Sequence, residues 1–277
     1  MNARSMARAW CPPALWDLAR RLAGRDAPPP PRASWAAARD AASGYDSPEI
    51  LRRVREATLR VKSGLAAYER DSVCFSEPAF RWPALACLVA IAAENGGRLE
   101  VVDFGGSLGS FYFQHRAFLS MLRSLSWAVV EQPHFVECGR EEIAHGPLQF
   151  RPSLADCFEH GSADVVLVSG TLQYLEHPYE TLDAIARSAT RYLLVDRVPF
   201  VAGESDLPIV QQPPEWIYPA SYPAWLLSRP RFDAWAARGG HRIVAEFESQ
   251  IDRRPGVNHA GLLLRLATGA AQNEANQ

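Results

Sequence analysis

Residues 101–109 read VVDFGGSLG, and this stretch decides the fold. A β-branched apolar run ends at Asp103, and Gly105, Gly106 and Gly109 follow in a short turn. Glycine lets a backbone turn sharply and approach a ligand closely, because no Cβ stands in the way. A helix that opens near Gly109 would direct its free amide groups at the same point. The stretch therefore predicts a strand, a ligand-binding turn and a helix.

An acidic residue follows at the distance that such a unit requires. Glu131 closes the next predicted strand, 22 residues after Gly109. From this position a carboxylate reaches the ribose hydroxyls in nucleoside-binding sheets. The order of strand, glycine turn, helix, strand and acid favours a nucleoside-containing cofactor. The alternative is a tight connection in which Asp103 only caps its own turn.

The rest of the chain after Gly97 alternates between short apolar runs and helical patterns. The predicted strands are 99–104, 126–131, 148–150, 164–169 and 192–196, with helices near 109–123, 133–145, 154–160 and 178–189. Such alternation indicates a parallel sheet covered on both faces. The last part predicts a helix near 222–238 and two strands, 241–248 and 260–266, joined by a turn at 253–256. The predicted fold class is α/β.

Two further parts precede this domain, which we place at residues 98–277. Residues 46–97 predict a helical cap, with helices from Pro48 to Gly64 and from Phe80 to Glu94. Residues 1–45 predict a tail rich in proline and arginine. Within the tail, residues 13–23 have a helical pattern, and docking on the main domain, peripheral membrane contact and disorder all stay open.

Composition narrows the range of partners. The net charge of −2 over 277 residues argues against nucleic acid, because duplex binding depends on a dense basic surface. The five cysteines lack the paired spacing of a zinc site, so we expect no metal and a reducing cytoplasm. No run of about 18 apolar residues predicts a transmembrane helix. The oligomeric state stays open.

Several segments beyond the glycine turn carry a resemblance to a known family. They are Ser34-Trp35 with SGYD at 43–46, ERDSV at 69–73, SGTLQYL at 169–175 and DRVPF at 196–200. The glycine turn, the acid after the next strand and the final pair of strands make residues 97–266 resemble the class I S-adenosylmethionine (SAM)-dependent methyltransferases. With the glycine turn, the segments named above make the chain most similar to a little-characterised bacterial methyltransferase family whose members tend to be associated with surface-polysaccharide genes.

The resemblance implies a Rossmann-like class I methyltransferase sheet, mostly parallel with an antiparallel C-terminal strand, and SAM as the cofactor. Asp103 would lie near the amino-acid part of SAM, the glycine turn would wrap it, and Glu131 would bind ribose. The implied cofactor-binding residues are Asp103, Gly105, Gly106, Ser107, Gly109, Glu131, Gln132, Ser153, Leu154, Ser169 and Gly170.

The sequence departs from the family pattern at two of these positions. Ser107 stands where the superfamily usually has its middle glycine. Ser153 stands where many relatives place an acid near the adenine. Asp156 or backbone groups alone would then hold the adenine.

Candidate catalytic residues follow the fourth and fifth predicted strands, whose carboxyl ends face the crevice of such folds. His177 is a candidate base, and Tyr174 is either a wall of the pocket or a proton acceptor. Arg197 would grip an anionic acceptor, or else form a structural ion pair with Asp196. Tyr68, Arg70 and Asp71, between the cap helices, could close over the site as a lid. The aromatic stretch 213–225 would stack on a sugar or pack in the core.

These inferences predict O- or N-methylation of a small or glycan-linked acceptor, with surface-polysaccharide biosynthesis as the context that the resemblance suggests. A non-catalytic relative that binds the cofactor is one alternative. An NAD-dependent oxidoreductase is the other, and it is disfavoured because Phe104 occupies the first glycine position of the dinucleotide fingerprint.

Overall fold

The computed structural model describes residues 28–44, 48–159, 161–213, 220–249 and 254–267. The predicted helix at 13–23 and part of the aromatic stretch 213–225 lie outside these residues. No helix in the described ranges is long and apolar enough to cross a membrane.

Helices and strands alternate through most of the chain. The α-helices are α1 (Trp35–Asp40), α2 (Pro48–Lys62), α3 (Trp82–Glu94), α4 (Ser110–Leu119), α5 (Pro133–Cys138), α6 (Leu154–Phe158), α7 (Pro178–Arg187) and α8 (Arg229–Arg238). A π-helix (Gly139–Ile143) continues α5, and a 3-10 turn (Leu172–Tyr174) precedes α7. The strands are β1 (Tyr68–Arg70), β2 (Val73–Phe75), β3 (Arg98–Phe104), β4 (Ser124–Val130), β5 (Leu148–Arg151), β6 (Val165–Ser169), β7 (Tyr192–Val201), β8 (Leu207–Gln211), β9 (Tyr222–Ser228), β10 (Arg242–Glu248) and β11 (Asn258–Arg265).

The main sheet has the order β10-β11-β7-β6-β3-β4-β5. The strands from β7 to β5 in this order are parallel, and β11 is antiparallel to both β7 and β10. The chain builds β3, β4 and β5 outward and then crosses back to place β6 on the other side of β3. This reversal opens a crevice beyond the carboxyl ends of β3 and β6. The predicted α/β fold, with a mostly parallel sheet and an antiparallel C-terminal strand, is confirmed.

Two apolar clusters cover the two faces of this sheet. Neighbouring residues on β3 alternate between them, since Val101 packs with α2, α3 and α4 whereas Val102 packs with α7 and α8. Such alternation follows from the two-residue period of a strand. Helix α2 contributes to the first cluster through Ile50, Val54 and Val61, which recur at helical spacing. The first cluster therefore packs the cap helices against β3, the strand that leads into the glycine turn.

The region after β7 differs from the prediction. Strand β7 continues to Val201, and residues 222–228 form β9 instead of the start of a helix. Strand β9 pairs with β8 along its length and with the end of β7 through Phe200 and Val201. The helix begins only at Arg229, where the Ser228 side chain caps it and a proline follows. The pairing with β7 and β8 therefore overrides helix formation at 222–228.

The strands β1, β2 and β8 and the helix α1 were not predicted. In the cap, β1 and β2 form an antiparallel hairpin. Within the segment predicted as a tail, Ser34 caps α1, and Trp35 stacks on Trp225 of β9 with ring centroids 5.0 Å apart. The residues around Trp35 are therefore attached to the β8–β9 ribbon.

Candidate functional site

A cleft of about 1570 Å³ opens at the carboxyl edge of the sheet. It is bordered by the glycine turn, the ends of β4 to β7, the β1–β2 hairpin and the β8–β9 ribbon. The predicted site residues that line it are Asp103, Gly105, Gly106, Ser107, Glu131, Gln132, Ser153, Leu154, Ser169, Gly170, Tyr174 and Arg197. Gly109 and His177 are outside this lining. The structure thus brings together most of the residues that the sequence singled out.

Two glycines of the turn make room for the protein's own side chains. A Cβ on Gly105 would lie 2.2 Å from Cγ2 of Thr171, and a Cβ on Gly106 would lie 2.5 Å from Cγ of Asp103. Gly105 also has a φ of +71°, in the left-handed region. Both positions therefore require glycine even without a ligand. This packing requirement adds to the close approach to a ligand that the sequence analysis predicted. Gly109 caps α4 with a φ of +87°.

Ser107 adopts the conformation of the glycine that it replaces. Its φ is +56°, and its backbone N–H donates to Oε1 of Glu131 at 3.0 Å. The backbone N–H of Gln132 donates to Oε2 of the same carboxylate at 2.9 Å. Burial raises the pKa of Glu131, and these two hydrogen bonds oppose that rise. The acid after β4 is therefore attached to the turn after β3.

Asp103 supports the turn from beneath. Its side chain is 1% exposed and accepts a hydrogen bond from Nε1 of Trp127 at 3.1 Å. Burial raises the pKa of Asp103 to about 7, although the Trp127 hydrogen bond and the charge of Arg81 oppose the rise. Its carboxyl group fills the space beside Gly106. Asp103, predicted to bind the cofactor, thus also supports its own turn, which was the alternative structural role.

At the end of β5, Ser153 is the N-cap of α6. Its Oγ accepts a hydrogen bond from the backbone N–H of Asp156 at 3.1 Å and donates to the Asp156 carboxylate. Ser153 and Leu154 line the cleft, whereas Asp156 is outside the lining. The Asp156 carboxylate, one of the two alternatives for holding the adenine, is instead bonded to Ser153, the N-cap of its own helix.

Tyr174 and His177, two of the candidate catalytic residues, differ in their surroundings. The hydroxyl of Tyr174 donates to Oε1 of Gln211 at 3.1 Å, and its ring meets Tyr222 edge to face at 5.3 Å. Burial raises the pKa of Tyr174, so the phenol stays protonated and forms a wall of the cleft. The His177 side chain is 65% exposed at the start of α7 and lies 4.0 Å from Glu180. This position leaves His177 facing solvent.

The ion pair between Asp196 and Arg197, one of the two alternatives for Arg197, does not form. Asp196 pairs with Arg81, not with Arg197, because Nη1 of Arg81 lies 2.7 Å from Oδ2. That oxygen also accepts a hydrogen bond from Ser169 Oγ, while Oδ1 accepts from the backbone N–H of Arg197 and from Ser249 Oγ. Burial lowers the pKa of Arg81 to about 10. Asp196 therefore joins α3, β6 and β7 through one carboxylate.

Sequence reasoning missed Arg81, since its partner is 115 positions away. Its guanidinium lies 4.5 Å over the ring of Phe111, and its backbone N–H donates to Nε2 of His115 at 2.9 Å. Nδ1 of His115 lies 2.8 Å from the Phe111 carbonyl oxygen. Burial lowers the pKa of His115 to about 4, so the neutral ring accepts from Arg81. His115 is a packing residue that positions Arg81.

The β1–β2 hairpin contributes residues 69–72 to the cleft lining; of the residues suggested as a lid, Arg70 and Asp71 are in the lining and Tyr68 is not. Its two-residue turn has left-handed φ angles at Asp71 (51°) and Ser72 (63°). The backbone N–H of Ser72 donates to Oε2 of Glu69 at 3.1 Å, and the hydroxyl of Ser110 donates to Oε1. Since Ser110 is the first residue of α4, Glu69 attaches the hairpin to the helix that follows the glycine turn.

No group of metal-ligating side chains occurs among the residues that the structure describes. Cys74, Cys87, Cys138 and Cys157 are free thiols, and burial raises the pKa of Cys87 to about 11. The polar groups that line the described part of the cleft include carboxyl, guanidinium, hydroxyl and amide groups.

The strand order, the glycine turn and the acid after β4 define a Rossmann-like fold of the class I methyltransferase type. Solved structures similar to the chain include the N-terminal domain of EvdMO1 in the presence of SAH and D-fucose. The two sequences are 16% identical, and the TM-score is 0.49; the match covers 80% of this chain and 98% of that one. Magnesium protoporphyrin IX methyltransferase (ChlM) from Synechocystis PCC 6803 with bound SAM is 13% identical with a TM-score of 0.45 over 81% and 100%. A SAM-dependent methyltransferase from Leishmania major is 15% identical with a TM-score of 0.45 over 84% and 91%. No protein-family model and no curated protein matches the chain.

Proposed function

We propose that the chain is a SAM-dependent methyltransferase that methylates oxygen or nitrogen of a small or glycan-linked acceptor. The observation that carries this proposal is the contact of Glu131 with the Ser107 amide at the carboxyl edge of the sheet. It brings a carboxylate and a glycine turn from adjacent strands to one point, as a nucleoside ligand requires. SAM supplies an electrophilic methyl group when bound.

The cleft lining supports an orientation for the cofactor. Glu131 would accept hydrogen bonds from the ribose hydroxyls, in competition with the Ser107 and Gln132 amides that it now binds. Ser153 and Leu154, after β5, would border the adenine. Ser169 and Gly170, after β6, would border the amino-acid part. In this arrangement the β8–β9 side of the cleft would be left for the acceptor.

Aromatic and amide side chains on the β8–β9 side support a sugar-bearing acceptor. Tyr174, Gln211, Tyr222 and Trp225 all line the cleft there. Aromatic rings present broad apolar faces with polar edges, which suit a ring with hydroxyl groups around it. The Gln211 amide, which accepts from Tyr174, offers further hydrogen-bonding groups. A polysaccharide precursor in the cytoplasm remains our specific proposal for the acceptor.

Isothermal titration calorimetry with SAM, S-adenosylhomocysteine (SAH) and NAD⁺ tests the cofactor. We expect SAM and SAH to bind with one site per chain and NAD⁺ to give no heat. Binding of NAD⁺ without binding of SAM would contradict the proposal and support an oxidoreductase.

A screen of nucleotide sugars and lipid-linked glycans, read as SAH formation from SAM, tests the acceptor. Turnover with one of these acceptors supports the proposed enzyme. Tight SAM binding with no turnover on any acceptor, including small hydroxyl and amine compounds, would favour the non-catalytic relative.

A further inference from the structure

Arg197 has a positive charge that the described residues do not neutralise. Asp196 is its sequence neighbour, but the Asp196 side chain pairs with Arg81 and receives only the backbone N–H of Arg197. No carboxylate in the described ranges lies within ion-pair distance of the Arg197 guanidinium. Asp196 is therefore the counterion of Arg81, and the Arg197 guanidinium is left without an ion-pair partner among the described residues.

The guanidinium of Arg197 also keeps a free hydrogen-bond donor. Its Nη2 donates to the Ser169 carbonyl oxygen at 3.3 Å, whereas its buried Nε has no partner among the described residues. A buried donor without a partner is unfavourable, because no hydrogen bond offsets the loss of its hydration. A ligand with an acceptor atom at this position would recover that cost.

The backbone around this guanidinium is arranged to admit it. Gly170 has a φ of +69°, and a Cβ there would lie 2.4 Å from Nη2 of Arg197. Arg197 itself has a φ of +59°, held by its N–H bonds to Asp196 and to Ser249. A left-handed conformation is unfavourable for a residue with a Cβ, and glycine would avoid this strain. Backbone strain of this kind clusters at functional sites. The presence of arginine where glycine would be unstrained therefore indicates a functional role for the Arg197 side chain.

Two further acids of the cleft, Asp103 and Glu69, are weak counterions for Arg197. Burial raises the pKa of Asp103 to about 7, and burial also raises the pKa of Glu69. The charge of Arg197 is among those that oppose both rises, which places it within electrostatic reach of the two carboxyls. Glu69 is occupied by Ser72 and Ser110. An anion from outside the chain would complete this set of charges.

We propose that Arg197 is an anion-binding site of the cleft, which receives a carboxylate or phosphate beside Gly170. A planar guanidinium binds both groups through two parallel hydrogen bonds. Two sources have this chemistry, namely the carboxylate of the cofactor's amino-acid part and an anionic group of the acceptor. Both sources rest on the proposed function, whereas the binding of an anion at Arg197 does not require it.

Decarboxylated SAM distinguishes the two sources. Calorimetry compares its affinity with that of SAM for the wild type and for Arg197→Met, which keeps an apolar stem without the charge. If Arg197 holds the cofactor carboxylate, the wild type prefers SAM by at least about tenfold, and the variant loses that preference. If both proteins show the same preference, the cofactor carboxylate is excluded as the anion.

Inorganic pyrophosphate is the probe for the second source, titrated into the free protein and into its SAH complex. An acceptor anion site predicts binding in both forms and a loss of about tenfold in Arg197→Met. The proposal is overturned if Arg197→Met changes neither the SAM preference nor pyrophosphate affinity. If the wild type binds no SAM, the proposed function fails, and pyrophosphate binding to the free protein still decides whether Arg197 binds anions.

Two further variants keep this test interpretable. Arg197→Gly removes the side chain at a position whose φ favours glycine, so the fold should be retained, as a thermal melt would show. It should reproduce the ligand effects of Arg197→Met. Arg123→Met removes an exposed arginine outside the cleft lining and should leave both affinities unchanged.

Discussion

The carboxylate of Glu131 holds the backbone N–H of Ser107 at 3.0 Å, so the acid at the end of one strand fixes the turn at the end of its neighbour. Its two oxygens receive the Ser107 and Gln132 amides and are directed into the cleft edge. The same carboxylate would meet the ribose of the cofactor. Its removal should therefore change both ligand affinity and the local stability of the turn.

We expect Glu131→Ala to weaken SAM binding by roughly 1–3 kcal/mol, because charge-assisted hydrogen bonds to the ribose are lost. Calorimetry measures the affinity, and a thermal melt shows whether the fold survives. The exposed Glu141→Ala serves as a charge-matched control that should bind SAM like the wild type. Unchanged affinity in a folded Glu131→Ala protein would rule out the ribose contact.

The left-handed backbone at Ser107 predicts that glycine is the better residue for stability. With a φ of +56°, Ser107→Gly should raise the free energy of unfolding by about 0.5–1 kcal/mol. Urea denaturation measures the change. Ser120→Gly is the control, since Ser120 has a φ of −69° and should gain nothing. A lower stability for Ser107→Gly would mean that the serine side chain contributes more than the strain costs.

Gly105→Ala should destabilise the fold by at least about 2 kcal/mol. The new Cβ would meet Thr171 at 2.2 Å and would also occupy a left-handed conformation. Combining it with Thr171→Ala removes the closest atom, so the double variant should recover about 1 kcal/mol relative to the sum of the single changes. Simple additivity in a double-mutant cycle, measured by chemical denaturation, would contradict a direct clash between these residues.

The raised pKa of Asp103 predicts a specific pH dependence of stability. Burial raises this pKa from 3.8 to about 7, so the native state retains a proton that the unfolded chain releases. The contribution of Asp103 to the free energy of unfolding therefore falls as pH rises from about 4 to 7, and it is constant above that range.

Asp103→Asn removes this dependence and keeps an oxygen for the Trp127 indole N–H. Relative to the wild type, the variant should be more stable at pH 8 than at pH 4 by roughly 4 kcal/mol, since the pKa shift of about three units is worth about 1.4 kcal/mol per unit. Comparing the two proteins at each pH cancels His115, whose lowered pKa acts in the opposite sense. A difference that stays constant across this range would show that Asp103 is ionised throughout.

The central unit of the fold was predictable because its signals are local. Strand β3 spans Arg98–Phe104 where 99–104 was predicted, and the glycine turn and the acid after β4 follow in the expected order. Here a β-branched run, glycines and an acid lie within about 30 residues, so adjacent strands bring them together without information from elsewhere.

Features that depend on distant pairing were not predictable. Residues 222–228 are a short apolar run, which fits a helix or a strand equally well until β7 and β8 provide pairing partners. Arg81 and Asp196 form their ion pair across 115 positions. Likewise, no local pattern shows that Thr171 would occupy the space beside Gly105.

The indole of Trp127 is fully buried, bonded through its N–H to the Asp103 carboxyl and stacked beside Phe111 with ring centroids 5.8 Å apart. Indole fluorescence responds to the charge and hydrogen bonding of the group next to the ring. Trp127 is thus an optical reporter placed directly under the glycine turn. Subtracting the emission of a Trp127→Phe protein would isolate its signal from the other seven of the eight tryptophans. Ionisation of one carboxyl group can therefore be followed by light, without a label and without knowledge of the acceptor.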